Sequence, residues 1–393
     1  MKKRKRIYAD YAASTPVDVA VKRAMAPYWS DQFGNPGSLH EEGMSAKRAL
    51  DEARSCIGSQ IGARADEIIF TSGGTESNNL AIFGLVRALL SGGKSLADFH
   101  FITSTIEHPS VLDCFKELEA RGAAVTYCGV TAEGLTEPEE VRNALRQNTA
   151  LVSFAYVNNE IGTIQPLKQI SKSIVQKNKD RFFQSCMPLF HTDASQAPLY
   201  LDCGVEKLGI DMMTIDGQKM YGPKGIGFLF IKRGLPLAPI LFGGSQERGM
   251  RPGTPPLPLI VGCAKAFEQA QTRRAKEAKR LTVLRDHLLA EIKKHVPTAE
   301  LNGSATERAP NNINISFPGV SNEFLVLQLD AKGIAVGTRS ACLSGVGSGS
   351  YVIEALGKGS DFGKSSIRIT FGIHTTRADV DYCVKTLVDL IRD

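Results

Sequence analysis

Between residues 67 and 232 the chain alternates short, almost wholly apolar runs with segments of helical spacing, and nothing else in it restricts the fold so strongly. "EIIFTS" (67–72) is strand-like, and the "GGTESNNLAIFGLVRALL" behind it has helical spacing. "FHFITST" (99–105) precedes "PSVLDCFKELEARG", with Pro109 near a helix start and Gly122 at its end. "AAVTYCGV" reads as a strand and "EPEEVRNALRQ" as a short amphipathic helix. "ALVSFAYV" (150–157), "PLFHTD" (188–193), "DMMTID" (211–216) and "IGFLFIK" (226–232) add further strands. Runs this apolar belong to strands covered on both faces. The expected fold class is therefore α/β, with a mostly parallel seven-stranded sheet. Ligands then belong at the carboxyl ends of the strands.

The pattern changes after the loop-like "GGSQERGMRPGTPPLP". A long charged amphipathic helix follows, from about 260 to 295, and its charge run reads as a solvated face. "NNINISF", "FLVLQLDAKGIAV" and "SIRITF" then suggest a smaller α+β unit. With 393 residues the length alone suggests two or three domains. We expect a large domain over 15–273 and a small one from 1–14 and 274–393, with the boundary inside the long helix. "VQKNKDRFFQSCMP" (175–188) lacks a clean period and reads as a surface excursion.

A net charge of +6 is mild for this length and argues no direct nucleic-acid binding. The basic "MKKRKR" start reads as a solvated tail, and with no apolar run behind it, it is not read as a secretory signal. No stretch approaches the apolar length that spans a bilayer. The eight cysteines are scattered without a C-x-x-C pair, so neither a zinc knuckle nor a thioredoxin-type motif is indicated. A chain this long needs no disulfides for its core, and a reducing, cytoplasmic setting is expected.

Chemistry-bearing residues fall at the expected strand ends. In "TSGGTESNN" two glycines turn the chain into a helix at Thr75; its N–H groups and dipole suit a phosphate, though a plain tight turn reads the same way. Lys219 in "TIDGQKMYGPKG" is either a nucleophilic amine or a surface lysine. Asp193 in "HTDASQ" can hold a pyridinium nitrogen protonated or simply cap a helix. His108 follows one strand, Asn158, Asn159 and Glu160 follow another, and Arg368 can clamp a carboxylate or pack. Each is ambiguous alone. Their convergence on one edge of a parallel sheet fits a pyridoxal phosphate pocket. Separately, Cys342 heads "CLSGVGSGS", a run too small and polar for a buried thiol and without a disulfide partner in view.

These stretches, with "YADYAASTPVD", "FGNPGSLH", "VNNEIGTIQP", "KMYGPKGIG", "ERGMRPGT" and "RSAC", stand in the order found in cysteine desulfurases, and the chain resembles that family from about residue 7 to its end. Cysteine desulfurases are fold-type I pyridoxal 5′-phosphate enzymes of the class V aminotransferase group. The resemblance implies that Lys219 is the Schiff-base lysine, Asp193 the partner of the ring nitrogen and Gln196 that of the ring hydroxyl. His108 becomes the ring-stacking acid/base, and Gly74 and Thr75 the phosphate cradle. Thr254 becomes a phosphate contact from the second subunit of a homodimer. Asn35, Asn159 and Arg368 lie near the substrate carboxylate. Cys342 becomes the nucleophile that takes sulfur from L-cysteine, leaving L-alanine and an enzyme persulfide. As a thiolate it is the reactive form, and Arg339 either favours that form or makes a surface ion pair.

The implied role is delivery of sulfur to an acceptor protein, for iron–sulfur cluster assembly or tRNA thiolation. No resident metal is expected, although a Cys342 thiolate is chemically able to ligate a cluster transiently. Selenocysteine lyase and cysteine sulfinate desulfinase share the fold and can dispense with an essential thiol. A sulfur-carrier or scaffold protein with an impaired cofactor site is the non-enzymatic alternative.

One departure stands out. Most relatives read Ser-Gly-His-Lys or Ser-Ala-His-Lys where this chain reads "DGQK". Asp216 replaces a phosphate-binding serine, and Gln218, which can still donate a hydrogen bond, replaces a histidine. Like charges 4 Å apart repel by about 1 kcal/mol in water and about 4 kcal/mol at an effective dielectric of 20. We therefore expect either that Asp216 turns away or that Arg251 or Lys224 intervenes.

Overall fold

The computed structural model describes residues 6–180, 188–338 and 349–392. A short strand, β1 (Ile7–Tyr8), precedes the seven that build the main sheet. These are β2 (Ile68–Thr71), β3 (His100–Ser104), β4 (Ala124–Cys128), β5 (Thr149–Ser153), β6 (Leu189–Asp193), β7 (Met212–Asp216) and β8 (Gly227–Ile231). Their order is β2-β8-β7-β6-β5-β3-β4. β8 runs antiparallel to both neighbours, and every other adjacent pair is parallel. β2 therefore points the same way as β3 to β7, and six strands deliver their carboxyl ends to one edge.

The expected strands are present, with one shortened. "ALVSFAYV" stays in the sheet only to Ser153. Beyond it Asn158 turns the chain, its Oδ1 accepting the N–H groups of Glu160 (2.9 Å) and Ile161 (3.0 Å). Residues that extend the apolar run thus become a loop at the strand end.

Helices cover both faces of the sheet. The Pro109–Ala120 helix buries Val111, Cys114, Phe115 and Leu118, one stripe at i, i+3, i+4 and i+7, and packs with the Gly74–Leu90 helix on one side. The Glu41–Ile61 helix and the start of the Leu257–His295 helix cover the other. The stretch read as an excursion from 175 is corrected in part: the Leu167–Asp180 helix continues through 180. Its buried stripe, Leu167, Ile170 and Ile174, lies upstream, so the later turns are polar and show little period. Residues 181–187 lie outside the described residues.

β9 (Glu300–Leu301), β10 (Asn312–Ser316) and β12 (Ser366–Thr370) form an antiparallel sheet ordered β12-β10-β9. β1 pairs in parallel with β11 (Ile334–Ala335). The Leu257–His295 helix serves both cores. Its Leu257, Ile260, Cys263 and Phe267 pack under the large sheet, while Leu281, Leu284, Leu288 and Ile292 pack with Ile313, Ile315, Ile367 and Ile369 in the second core. Among the described residues no helix is long and apolar enough to cross a membrane.

Candidate active site

A cavity of about 180 Å³ opens where β2, β3, β5, β6 and β7 end. The second unit closes it: Arg368 comes from β12, and Ala12 and Ala13 from the segment after β1. The cavity gathers Gly74, Thr75, His108, Asn159, Asp193, Gln196, Gln218, Lys219 and Arg368 from the residues singled out in the sequence.

Asp193 is the last residue of β6. Its Oδ1 accepts the Ser195 N–H (2.9 Å) and its Oδ2 accepts the Asn78 amide (2.8 Å). The same Asn78 amide also donates to Ser110 Oγ (2.8 Å), whose hydroxyl lies 2.8 Å from His108 Nδ1. His108 caps the Pro109–Ala120 helix, Nδ1 accepting the Ser110 N–H. With Nδ1 used as an acceptor, the neutral ring carries its proton on Nε2. Burial holds the imidazole below its ordinary pKa, assisted by Lys219 and opposed by Asp193, so the neutral form prevails at neutral pH. One asparagine thereby orients both a carboxylate and an imidazole. Neither Asn78 nor Ser110 was singled out in the sequence. The available signal was position, since Asn78 lies four residues, about one helical turn, after Gly74.

Lys219 ends the short Gly217–Lys219 turn after β7, and its Nζ donates to the carbonyls of Ala12 (3.0 Å) and Ala13 (2.6 Å). Gln196 Nε2 shares the Ala12 carbonyl (3.0 Å). The N-terminal segment is thus a wall of the cavity, and its part is main-chain oxygens, which side-chain chemistry does not betray.

At the opposite end the Gly74–Leu90 helix begins at the cavity, and among the described residues the N–H groups of Gly74 and Thr75 find no acceptor. Gly73, at φ 148°, makes the turn that aims them. The strand edge behind is also glycine: a Cβ on Gly227 would lie 2.8 Å from Gly73 Cα. Ser195 Oγ and Asp216 Oδ2 stand 3.2 and 3.5 Å from where a Cβ on Gly74 would be.

The expectation for Asp216 is corrected here. It does not turn away, because its Oδ1 caps the turn by accepting the Gln218 N–H (3.1 Å) and its Oδ2 accepts Gln218 Nε2 (3.2 Å). Arg251 does not intervene either. Its Nε is bound to Glu76 Oε1 (3.0 Å), and Glu76 Oε2 takes the Ser72 N–H (2.7 Å). Lys224 is exposed and does not line the cavity.

Arg368 is only 1% exposed. Its guanidinium donates to the Asn159 carbonyl (2.9 Å) and Asp10 Oδ1 (2.8 Å), while Nε has no partner among the described residues. An unpartnered N–H beside a cavity suits a carboxylate ligand. Asp10 is a third residue the sequence reading missed. Asn35 and Thr254 are not brought in: both are exposed and line no part of this cavity.

Cys342 and Arg339 lie outside the described residues. The chain resumes against the cavity floor. Ser350 Oγ donates to buried Glu160 (2.6 Å) and Tyr351 OH to the Glu107 carbonyl (2.5 Å), while Val352, Ile353 and Leu356 pack on Ile106 and Ile161. Burial pushes the Glu107 carboxyl up to about 7, against the Ser104 hydrogen bond that favours its charge.

The arrangement offers a half-buried carboxylate, a neutral imidazole, an amine and a donor-rich helix start around one space. Comparison with known proteins places it. The aminotransferase class-V family model matches residues 7–383. Cysteine desulfurase IscS of Dictyoglomus turgidum (strain DSM 6724 / Z-1310) is 42% identical over 388 residues, covering 99% of this chain and 95% of that protein. Cysteine desulfurase IscS of Methanosarcina thermophila is 41% identical over 388 residues, covering 99% and 92%. Among solved structures a NifS-like protein superposes with a TM-score of 0.89 at 32% identity, over 98% of this chain and 99% of that one. A structure described as SspA in complex with cysteine gives 0.79 at 34% identity, over 94% and 100%.

Proposed function

The chain belongs to the aminotransferase class-V family and is a cysteine desulfurase dependent on pyridoxal 5′-phosphate; from that premise we propose that it moves the sulfur of L-cysteine onto Cys342 as a persulfide and releases L-alanine. The observation that carries the residue assignment is the meeting of Asp193, His108, Lys219 and the Gly74–Thr75 helix start around one cavity. These residues fit the cofactor. Asp193 is held by two donors as an acceptor for a ring N–H, Gln196 reaches the same wall, and two unpaired main-chain N–H groups await the phosphate. Asp216 is the one lining group of the wrong sign. When bound, the cofactor supplies an electron sink for the bonds broken at the substrate carbons.

The chain's own residues do the rest. Asp193 would keep the ring nitrogen protonated, and the His108 imidazole would stack on the ring. The Lys219 amine would hold the cofactor aldehyde and, once displaced by the substrate amine, would serve as the base for the substrate Cα proton. Arg368, through the Nε that has no partner among the described residues, receives the substrate carboxylate, with Asn159 and Asn35 beside it. The Cys342 thiolate attacks the substrate sulfur. An S–S bond forms as the Cβ–S bond breaks, and the electron pair left on carbon takes a proton to become the alanine methyl. Thr254 completes the phosphate site from the partner in a homodimer; its exposure in the single chain supports this. The two cores carried by one helix support a large domain over 15–273 and a small one from 1–14 and 274–393. The persulfide passes to an acceptor protein of iron–sulfur assembly or tRNA thiolation in the cytoplasm.

The test is incubation with L-cysteine and pyridoxal 5′-phosphate, measuring alanine and mapping the extra sulfur by mass spectrometry. Persulfide at Cys342 is expected. Undiminished alanine release by Cys342→Ser would favour the thiol-independent lyase or desulfinase chemistry instead. A visible cofactor band unchanged in Lys219→Ala would remove Lys219 from its role.

A further inference from the structure

At the phosphate end of the cavity stands a carboxylate, Asp216, with no ion-pair partner among the described residues. Asp216 Oδ2 stands 3.5 Å from a Cβ position on Gly74 and 3.9 Å from one on Gly73, so it fronts the first turn of the helix whose Gly74 and Thr75 N–H groups lack acceptors. Both its oxygens accept from Gln218, main chain and side chain, which occupies the Gln218 amide. Titratable groups face it from several elements. On the Leu257–His295 helix the Cys263 thiol, pushed up by burial and by Asp216 itself, stays neutral. On the Gly74–Leu90 helix, Glu76 is bound to Arg251 from the loop before the Leu257–His295 helix. After β3 stands His108, after β6 Asp193, and on the Asp216 turn itself Lys219, directed at the Ala12 and Ala13 carbonyls. A dianionic phosphate at this helix start would meet a carboxylate face to face.

We infer that this chain binds the cofactor's phosphate ester as the monoanion, with the P–OH donating to a carboxylate oxygen of Asp216, so that cofactor affinity rises as pH falls. The inference rests on the cofactor reading above. The reason for the proton's place is basicity. A phosphate monoester keeps its second proton to a pKa of about 6, whereas a carboxylate loses its own near 4, so a proton shared by the two sits on the phosphate. The remaining phosphate oxygens accept from the Gly74 and Thr75 N–H groups, and Ser195 Oγ is close enough to add a third donor. Above pH 6 the free cofactor is mainly the dianion. Binding must then take up one proton, and affinity falls about tenfold for each further pH unit. Asp216 is in this sense a cofactor-binding residue that selects a protonation state.

Asp216→Asn separates this role from folding, because its carbonyl oxygen can still accept the Gln218 N–H that caps the turn. Dissociation constants for pyridoxal 5′-phosphate and for pyridoxal, which lacks the phosphate, are measured at pH 7 and pH 8 in both proteins by absorbance, and the loaded proteins are compared by ³¹P NMR. The phosphate's ratio of constants, wild type over Asp216→Asn, is expected to grow about tenfold from pH 7 to pH 8, with the pyridoxal ratio unchanged. The bound ³¹P resonance of the wild type at pH 8 should sit at the monoanion position and move to the dianion position in Asp216→Asn. A pH-independent ratio, or a dianion resonance in the wild type, would overturn the inference while leaving the cofactor reading intact. Absence of any bound spectrum with either compound in either protein would overturn both.

Discussion

Two aspartates close neighbouring parallel strands, Asp193 on β6 and Asp216 on β7, and they are held almost identically. Each gives Oδ1 to the N–H two residues ahead, Ser195 at 2.9 Å and Gln218 at 3.1 Å. Each gives Oδ2 to a side-chain amide, Asn78 at 2.8 Å and Gln218 at 3.2 Å. What separates them is the space in front. Asp193 shares its amide with the His108–Ser110 pair and, in the proposed cofactor site, faces the ring, where a positive N–H is wanted. Asp216 fronts a helix start that the same proposal gives to an anion. Local hydrogen bonding thus makes both carboxylates good acceptors, and the partner across the cavity decides whether that is an asset or a constraint.

The comparison can be broken most sharply at the lysine next to the second aspartate. Lys219→Ala should lower alanine production by on the order of 10⁴-fold, since nucleophile and base vanish together; steady-state alanine assays read this directly. Asp193→Asn should cost on the order of 10²–10³-fold in kcat by removing the charge that keeps the ring nitrogen protonated, whereas Asp216→Asn should not lower kcat at saturating cofactor. Equal losses in the two variants would end the contrast. Ser350→Ala should act more mildly, about tenfold on persulfide formation, because it frees the chain after the Cys342 segment from Glu160 without touching the ring end. Rescue by Ser350→Thr and an unchanged cofactor spectrum distinguish positioning from misfolding.

The smallest effect is on stability against pH. Burial lowers His191 to about 4 and His100 to about 4, the latter helped by Arg146. The unfolded chain binds protons at both near 6.5 while the folded one does not, so stability falls on acidification from 6.5 towards 4. Glu107, raised to about 7, works the other way: its unfolded carboxyl ionises first, and stability falls as pH rises from 4.5 to 7. Two histidines outweigh one glutamate, so urea unfolding should show higher stability at pH 6.5 than at pH 5. Glu107→Gln should steepen that rise, and a flatter profile in this variant would contradict the assignment.

Much of the site was legible because the carboxyl ends of parallel strands are predictable from apolar runs alone. Asp193, Lys219, His108 and Gly74 were each found by following a strand to its end. The residues that escaped work at second hand or through the main chain. Asn78 sits a helical turn inside the helix and matters only because it faces Asp193, Asp10 matters through its pairing with Arg368, and Ala12 and Ala13 through their carbonyls. Such roles depend on which distant segments meet, and residue type does not encode that.

By itself the sequence determined the α/β class, the strand set, the shared edge and the candidate groups that gather there, since hydrophobic period and strand-end position are local properties. It also raised the oddity of Asp216 but left its orientation open, offering a turned-away side chain or an intervening base. Only the tertiary structure decided that. The cap on the Gln218 turn points the carboxylate at the helix start, and the Glu76–Arg251 pair engages the arginine that the sequence offered as the intervening base. Charges at long range in sequence and short range in space settle such questions, because electrostatic energy follows distance through the fold and not along the chain.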